Sequence, residues 1–185
     1  MLGLERGAVR LVPYHPEWPA LFARERDALR RALGGLPAEI EHVGSTAVPG
    51  LSAKPILDLL AGLPDGAADG AALALYRAAF ERAGYEYRGE YGIPGRHYFI
   101  KGEPRTHHLH VVGRASEFWR THVLFRDQLR ADAEVARAYD ALKRELAERH
   151  AADREAYTEG KSEFIARVVR AAPAPPGVAA DTRAP

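Results

Sequence analysis

The chain of 185 residues has no cysteine and a single methionine. Without a thiol there is no disulfide framework, no thiolate zinc centre and no cysteine nucleophile, and a reducing compartment suits it. Strong charge of either sign is also missing: 26 Lys and Arg stand against 25 Asp and Glu, a formal net charge of +1. No global field favours a nucleic-acid backbone or an anionic lipid surface, so neither nucleic acid nor membrane is the expected partner, and anions must be bound locally. No stretch approaches the roughly 18 apolar residues that a membrane helix needs, and residues 1–10 hold no apolar run of signal-peptide length. The expectation is a soluble cytoplasmic protein. The glycine-rich dinucleotide fingerprint, the His-Glu-x-x-His helix and the Gly-x-Ser-x-Gly elbow are absent as well. Gly160-Lys161-Ser162 invites a phosphate-loop reading, but Glu155 stands where the upstream glycine is required and the segment reads as helix interior.

What is present is an ordinary globular mixture, 46% hydrophobic and 28% charged, of a length that fits one domain at about 150 residues each. Pro19 marks the start of a helix capped by Trp18, whose apolar positions Leu21, Phe22, Leu29 and Leu33 recur at helical spacing until Gly34-Gly35 stops it. Glu39 to Val43 and Pro55 to Ala61 read as strands, the second buried on both faces, with a shaped loop of at most one helical turn between them. A helix over Asp69 to Ala83 ends at Gly84, and Tyr85–Glu90, Arg96–Lys101 and Thr106–Val112 read as three more strands, the last two a hairpin. Ser116 caps a helix to about Arg130, and two more follow over Ala133–Arg149 and Asp153–Arg170. This order predicts an α+β domain over 1–172, a mixed sheet with flanking helices and a C-terminal helical region. Residues 173–185, with four prolines and almost nothing large and apolar, read as a disordered tail.

Four features carry candidate chemistry. Asp58 stands among Ile56, Leu57, Leu59 and Leu60, where an unpaired carboxylate costs several kcal/mol, so it needs a partner, a metal or a cleft; the plainer alternative is a structural Asp paired with an Arg or with backbone N–H groups. Gly44-Ser45-Thr46 leaves a strand with small residues, two hydroxyls and close backbone approach, which suits a phosphate but is also ordinary turn chemistry. Lys54 can add charge to the same place or remain solvated. His107, His108 and His110, with His97 on the neighbouring strand, form a cluster in which His108 and His110 share a face, a spacing able to hold one metal or phosphate. Arg96 opens a strand and can clamp an anion in bidentate fashion. Lys161 interrupts the apolar stripe Tyr157, Phe164, Ile165, Val168, either snorkelling past the core edge or reaching into a site.

Glu41-His42-Val43-Gly44-Ser45-Thr46-Ala47-Val48-Pro49-Gly50-Leu51 followed by Ala53-Lys54-Pro55-Ile56-Leu57-Asp58 resembles the signature of the GrpB family, which is placed in the nucleotidyltransferase superfamily. Gly92 to Arg96, His108 to Val111, Phe125-Arg126-Asp127, and Tyr157 with Gly160-Lys161 and Phe164-Ile165 extend the similarity from about Val9 to Ala171. The resemblance implies a nucleotidyltransferase-like fold in which the Gly44-Ser45 turn grips a nucleoside triphosphate. It also implies a divalent metal, Mg²⁺ or a transition metal, held by acidic residues: two on the next strand separated by one position, and a third from a later strand. Asp58 matches the first acid; Leu60 occupies the place of the second; histidines stand where the third is expected, with Glu90 the nearest other acid. On this reading Asp58, His108 and His110 hold metal, and Asp58, Lys54 and His108 do the chemistry. Gly44, Ser45, Thr46, Arg96 and Lys161 bind the nucleotide or phosphorylated small molecule. Two functions follow: transfer of a nucleotidyl group to a small-molecule or protein acceptor, or a binding module for a nucleotide, a phosphometabolite or a transition metal that keeps the cleft without turnover.

Overall fold

A computed structural model of the protein describes residues 2–172; the tail expected over 173–185 lies outside these. Strand β2, Leu57–Leu63, organises the molecule, because alternation sends its side chains in two directions. Leu57, Leu59, Ala61 and Leu63 enter one core, and Asp58, Leu60 and Gly62 face the other way. Beside β2 lie β1 (Glu39–Val43), antiparallel, and β5 (His107–Gly113), parallel; β4 (His97–Lys101) and β3 (Glu86–Tyr87) complete a five-stranded sheet of order β1-β2-β5-β4-β3. The fold class is therefore the expected α+β with a mixed sheet.

One face is fully covered. Helices α1 (Trp18–Leu33) and α2 (Gly70–Arg82) press Trp18, Leu29, Leu33, Tyr76, Ala79 and Phe80 onto Leu57, Leu59, Phe99, Leu109 and Val111. The other face is covered at one end only. There α3 (Glu117–Ala131), capped by Ser116 accepting from the Trp119 N–H, lays Trp119 on Val43, Leu60 and Val112. A Cβ on Gly62 would come within 2.6 Å of the Trp119 ring, so the glycine is the recess that admits the indole. Helices α4 (Ala133–Arg149), α5 (Arg154–Glu159) and α6 (Ser162–Ala171) stand off from the remainder of this face. A cleft is left above Asp58.

Several expected boundaries move. Trp18 lies inside the first turn of α1 with Glu17 at the cap and Pro19 one residue further in, because the indole is needed in the core. The strand expected over Tyr85–Glu90 keeps regular pairing only at Glu86 and Tyr87; two more backbone bonds, from the Arg88 N–H to the Tyr98 carbonyl and from the Tyr98 N–H to the Gly89 carbonyl, lead the chain into the turn over Gly89 to Gly95 at the cleft rim. The final helix is two helices, and Gly160-Lys161-Ser162 is their junction rather than helix interior. The Gly160 N–H still reaches Ala156, but the Lys161 N–H bonds Thr158 three residues back, and Gly160 sits so close to Leu146 that a Cβ would approach its side chain to 2.6 Å. With no strand before it and Glu155 in place of glycine, the junction is still no phosphate loop.

Candidate functional site

The floor of the cleft is set by register. Asp58 is the β5 partner of His108, Leu60 of His110, and Tyr98 on β4 lies opposite His110, so Asp58, His108, His110 and Tyr98 share one face. His97 and His107 leave the cluster for the same reason. His97 pairs with Val111 on the opposite face, where it bonds the Tyr87 hydroxyl (2.8 Å) and the Ala68 carbonyl (2.9 Å), and His107 faces Glu25.

Asp58 has the partner that its apolar flanks demanded: His108 Nδ1 donates to Oδ1 at 2.8 Å. Burial pushes the Asp58 carboxyl up, but the His108 hydrogen bond and the neighbouring His108, His110 and Lys54 charges outweigh it and hold the group well below the usual carboxylate range. Burial pulls His108 below the ordinary imidazole value against the pull of Asp58. The pair is thus a carboxylate accepting from a neutral imidazole, which leaves His108 Nε2 as a bare acceptor. Within the described residues His108 Nε2, His110 Nδ1 and Arg96 Nε are buried without a hydrogen-bond partner.

Directly above, Gly44 takes φ +70° and ψ −176°, a conformation that only glycine adopts readily, and a Cβ there would lie 2.6 Å from Asp58 Oδ2. The exposed Gly44 backbone and the single 3₁₀ turn Ser45–Ala47 form the lip of the cleft, with Thr46 Oγ1 turned back to His42 Nε2 at 2.9 Å. The chain then runs to Ser52, whose N–H and hydroxyl both donate to Asp140 of α4 and whose carbonyl accepts from the fully buried Lys143. Ala53 is tied to Val12 by a two-way backbone bridge (2.8 and 3.0 Å). These fixings aim Lys54 into the cleft.

The wall opposite comes from the helices. Lys54 Nζ and Lys161 Nζ lie 5.7 and 4.4 Å from the centroid of one ring, that of Tyr157. Burial lowers Lys54 to about 8, with Arg154 and Arg105 adding to the effect and Asp58 opposing it. Burial and Lys54 lower Lys161 to about 7. Arg154 and Glu155 of α5 complete this wall. On the far side Arg96 spends one amino group on the Glu90 and Tyr91 carbonyls (2.8 Å each), fixing the 89–95 turn, while its guanidinium lies 5.0 Å over Tyr98. Glu90 accepts from the Gly95 N–H at the exposed turn and is not among the residues lining the cleft. The cavity is about 980 Å³, ample for a nucleotide-sized ligand.

Gly44, Ser45, Thr46, Lys54, Asp58, Arg96, His108, His110 and Lys161 all line this one cleft. Sequence reasoning missed Lys143, Arg154 and His122. Lys143 was within reach, since it falls on the buried stripe of α4 between Tyr139 and Leu146. His122, stacked on Phe118 at 3.9 Å and facing His110 at 6.3 Å, carries no local signal.

The divalent pair implied by the acid-rich members of the fold does not fit these residues. Leu60, at the second acid's place, is fully buried against Val43, Val112 and Trp119. Asp58 Oδ1 is engaged by His108. Among the described residues no three His, Asp or Glu side chains converge to hold a metal.

Comparison with known proteins places this geometry. The family model described as GrpB protein matches residues 8–171. The chain belongs to the GrpB family. This GrpB chain is 45% identical over 166 residues to a UPF0157 protein of Pseudomonas aeruginosa, and 34% identical over 174 residues to the glutamate-rich protein GrpB of Alkalihalophilus pseudofirmus. It covers 87% and 91% of itself in these matches, with 66% of the first relative's length and 98% of the second's. It spans only 45% of a UPF0157 protein of Bacillus subtilis and 47% of a dephospho-CoA kinase of Mycolicibacterium paratuberculosis, to which it is 29% identical. The crystal structure of GrpB from Enterococcus faecalis superposes with a TM-score of 0.77 at 36% identity, over 87% of this chain and 95% of that one. The Cid1 poly(U) polymerase, whose structure is described as bound to Mg and 3′-dATP, superposes with a TM-score of 0.55 at 15% identity, over 81% of this chain and 49% of that one. The GrpB chain therefore has the nucleotidyltransferase-like fold.

Proposed function

We propose that this chain binds a nucleoside triphosphate, or a small molecule carrying equivalent phosphates, in the cleft between the sheet and α3–α6. One observation carries the reading: Lys54, Lys161, Arg96 and Arg154 line the same cleft as the Gly44-Ser45 turn, over a sheet floor whose single carboxylate is Asp58. Partly buried cations so arranged are compensated when an anion enters. The Ser45 turn and the lysines hold phosphate, and the aromatic side of the cleft, Tyr98, Phe118 and His122, offers stacking surface to a base or another planar group.

A second reading, nucleotidyl transfer, is favoured by the Asp58–His108 hydrogen bond. In it an acceptor hydroxyl gives its proton to the Asp58–His108 pair, its oxygen bonds the α-phosphorus, and the bond from that phosphorus to the pyrophosphate oxygen breaks. Asp58 holds the imidazole and stabilises its positive charge, and pyrophosphate leaves against the lysines.

Calorimetric titration of the full chain with a nucleoside triphosphate and with the matching nucleoside, in parallel with Asp58→Asn and a Ser45→Ala variant, tests the first reading. Binding of the triphosphate, much weaker binding of the nucleoside, and a change in affinity in both variants are expected. No triphosphate binding under any condition rejects it. Release of pyrophosphate from the bound triphosphate, lost in His108→Ala while binding persists, separates transfer from binding alone.

A further inference from the structure

We infer that Lys54 and Lys161 act as a twin-ammonium phosphate site that takes over the charge-neutralising role of divalent metal, so that this cleft binds a di- or triphosphate group without metal. The inference rests on the reading of the cleft as a phosphate site and goes beyond it by naming the cations.

Three observations converge. The first is the position of the two ammonium groups: they come from segments more than a hundred residues apart, yet both sit over the ring of Tyr157, at 5.7 and 4.4 Å. The quadrupole of that one ring attracts both but neutralises neither. The second is that neither Lys54 nor Lys161 makes an ion pair or a side-chain hydrogen bond among the described residues, whereas Lys143, the third lysine in the cleft wall, donates to the Ser52 carbonyl and faces Asp140 at 3.2 Å. Lys143 is therefore structural, and the other two have donor capacity to spare, three N–H groups on each. The third is the floor. Leu60 fills the place from which a second carboxylate would draw in a cation, and Asp58 spends Oδ1 on His108, which leaves Oδ2 as its one free oxygen. A sheet floor with one shared carboxylate beneath two uncommitted ammonium groups, with Glu155 at the exposed wall balanced by its neighbour Arg154 in charge, attracts phosphate more strongly than it attracts Mg²⁺, which demands near-octahedral oxygen ligands.

Tyr157 is what makes the pair possible. It is buried against Val9 and Leu146, so its ring is fixed and gives both ammonium groups one immobile aromatic neighbour. Arg154, on the same short helix, lines the cleft as well.

The test is titration of the full chain with inorganic tripolyphosphate, after metal removal, in chelator and then with excess Mg²⁺. Binding in chelator is expected, and excess Mg²⁺, which complexes tripolyphosphate and competes with the lysines for its charge, is expected to weaken it rather than to be required for it. Lys54→Met and Lys161→Met are each expected to weaken binding by about tenfold or more, while Lys54→Arg and Lys161→Arg retain most of it, as for any charge-assisted hydrogen bond to phosphate. The methionine variants keep the stem volume and remove a partly buried charge, and a melting curve confirms that each is folded. Binding that appears only with Mg²⁺, or binding in chelator that both methionine variants retain, overturns the twin-ammonium site while leaving the cleft's phosphate reading intact. No binding with or without Mg²⁺, and none of nucleoside triphosphate, overturns both.

Discussion

Two lysines with lowered proton affinity in one cleft make ligand binding and pH inseparable. Lys161, brought to about 7 by burial and by Lys54, and Lys54, brought to about 8 by burial, are partly neutral in the free protein at slightly alkaline pH. An arriving polyphosphate favours the charged forms, so binding takes up protons. The sign follows: affinity is full below about pH 7 and falls as pH rises through 7 and 8, by up to about tenfold per pH unit for each lysine, until the raised pKa of the complex is reached. Calorimetry in buffers of different ionisation enthalpy measures the uptake directly, and Lys161→Met is expected to abolish the lower step. At Gly44 the constraint is steric. Gly44→Ala forces an alanine to φ +70° and drives its Cβ toward Asp58 Oδ2, an expected cost of about 1–3 kcal/mol in urea unfolding, with triphosphate affinity falling alongside because Asp58 is displaced from His108. Asp58 itself was legible in the sequence, as a carboxylate that an apolar run cannot tolerate without a partner. The partner's identity followed from β-strand alternation only once the parallel register of β2 and β5 was known.

At the scale of elements, the lip of the cleft is held from behind by α4. Ser52 gives two hydrogen bonds to Asp140, and Lys143 joins both. Burial raises the Asp140 carboxyl, but the Ser52 bonds, Arg144 and Lys143 bring it down to about 2. A carboxyl whose folded value is depressed stabilises the protein above its unfolded value, near 4, and loses that stabilisation as pH falls toward 2. Asp140→Asn is expected to cost about 2 kcal/mol at neutral pH, with the gap from the parent closing between pH 4 and 2 in acid-dependent urea unfolding. The helices and the hairpin could be read from apolar spacing and turn residues, and their cores formed as expected. The break at Gly160 could not, since it depends on how closely that residue approaches Leu146 of another helix. For the same reason Arg154 and His122 were missed: each lies on a helix whose own pattern is unremarkable, and only the packing of that helix over the sheet turns it inward.

For the whole molecule, the lesson is asymmetry. One sheet face is sealed by α1 and α2, and the other is sealed only where Trp119 meets Gly62, so the domain folds around a floor that it leaves open. Ligand that fills this opening adds stability by mass action. Tripolyphosphate at about a hundred times its Kd is expected to add about 2.7 kcal/mol, and for a domain of this size to raise Tm by about 5–10 °C; an unchanged melting curve at saturating concentration contradicts binding to the folded state. Length, net charge and the lack of cysteine excluded whole classes of function but could not show which face would be open. That depended on where one bulky indole happened to be accommodated.

The chain's two tryptophans lie on opposite sides of the sheet, Trp18 sealed in the core at the start of α1 and Trp119 packed on Val43, Leu60 and Val112, next to Phe118, which lines the cleft. The protein thus carries its own pair of optical probes, one for each side of its central layer. With Trp18 replaced by phenylalanine, emission from Trp119 is expected to shift on ligand binding through its cleft-lining neighbour Phe118; with Trp119 replaced, Trp18 is expected to be insensitive to ligand and to respond only when the sealed face comes apart.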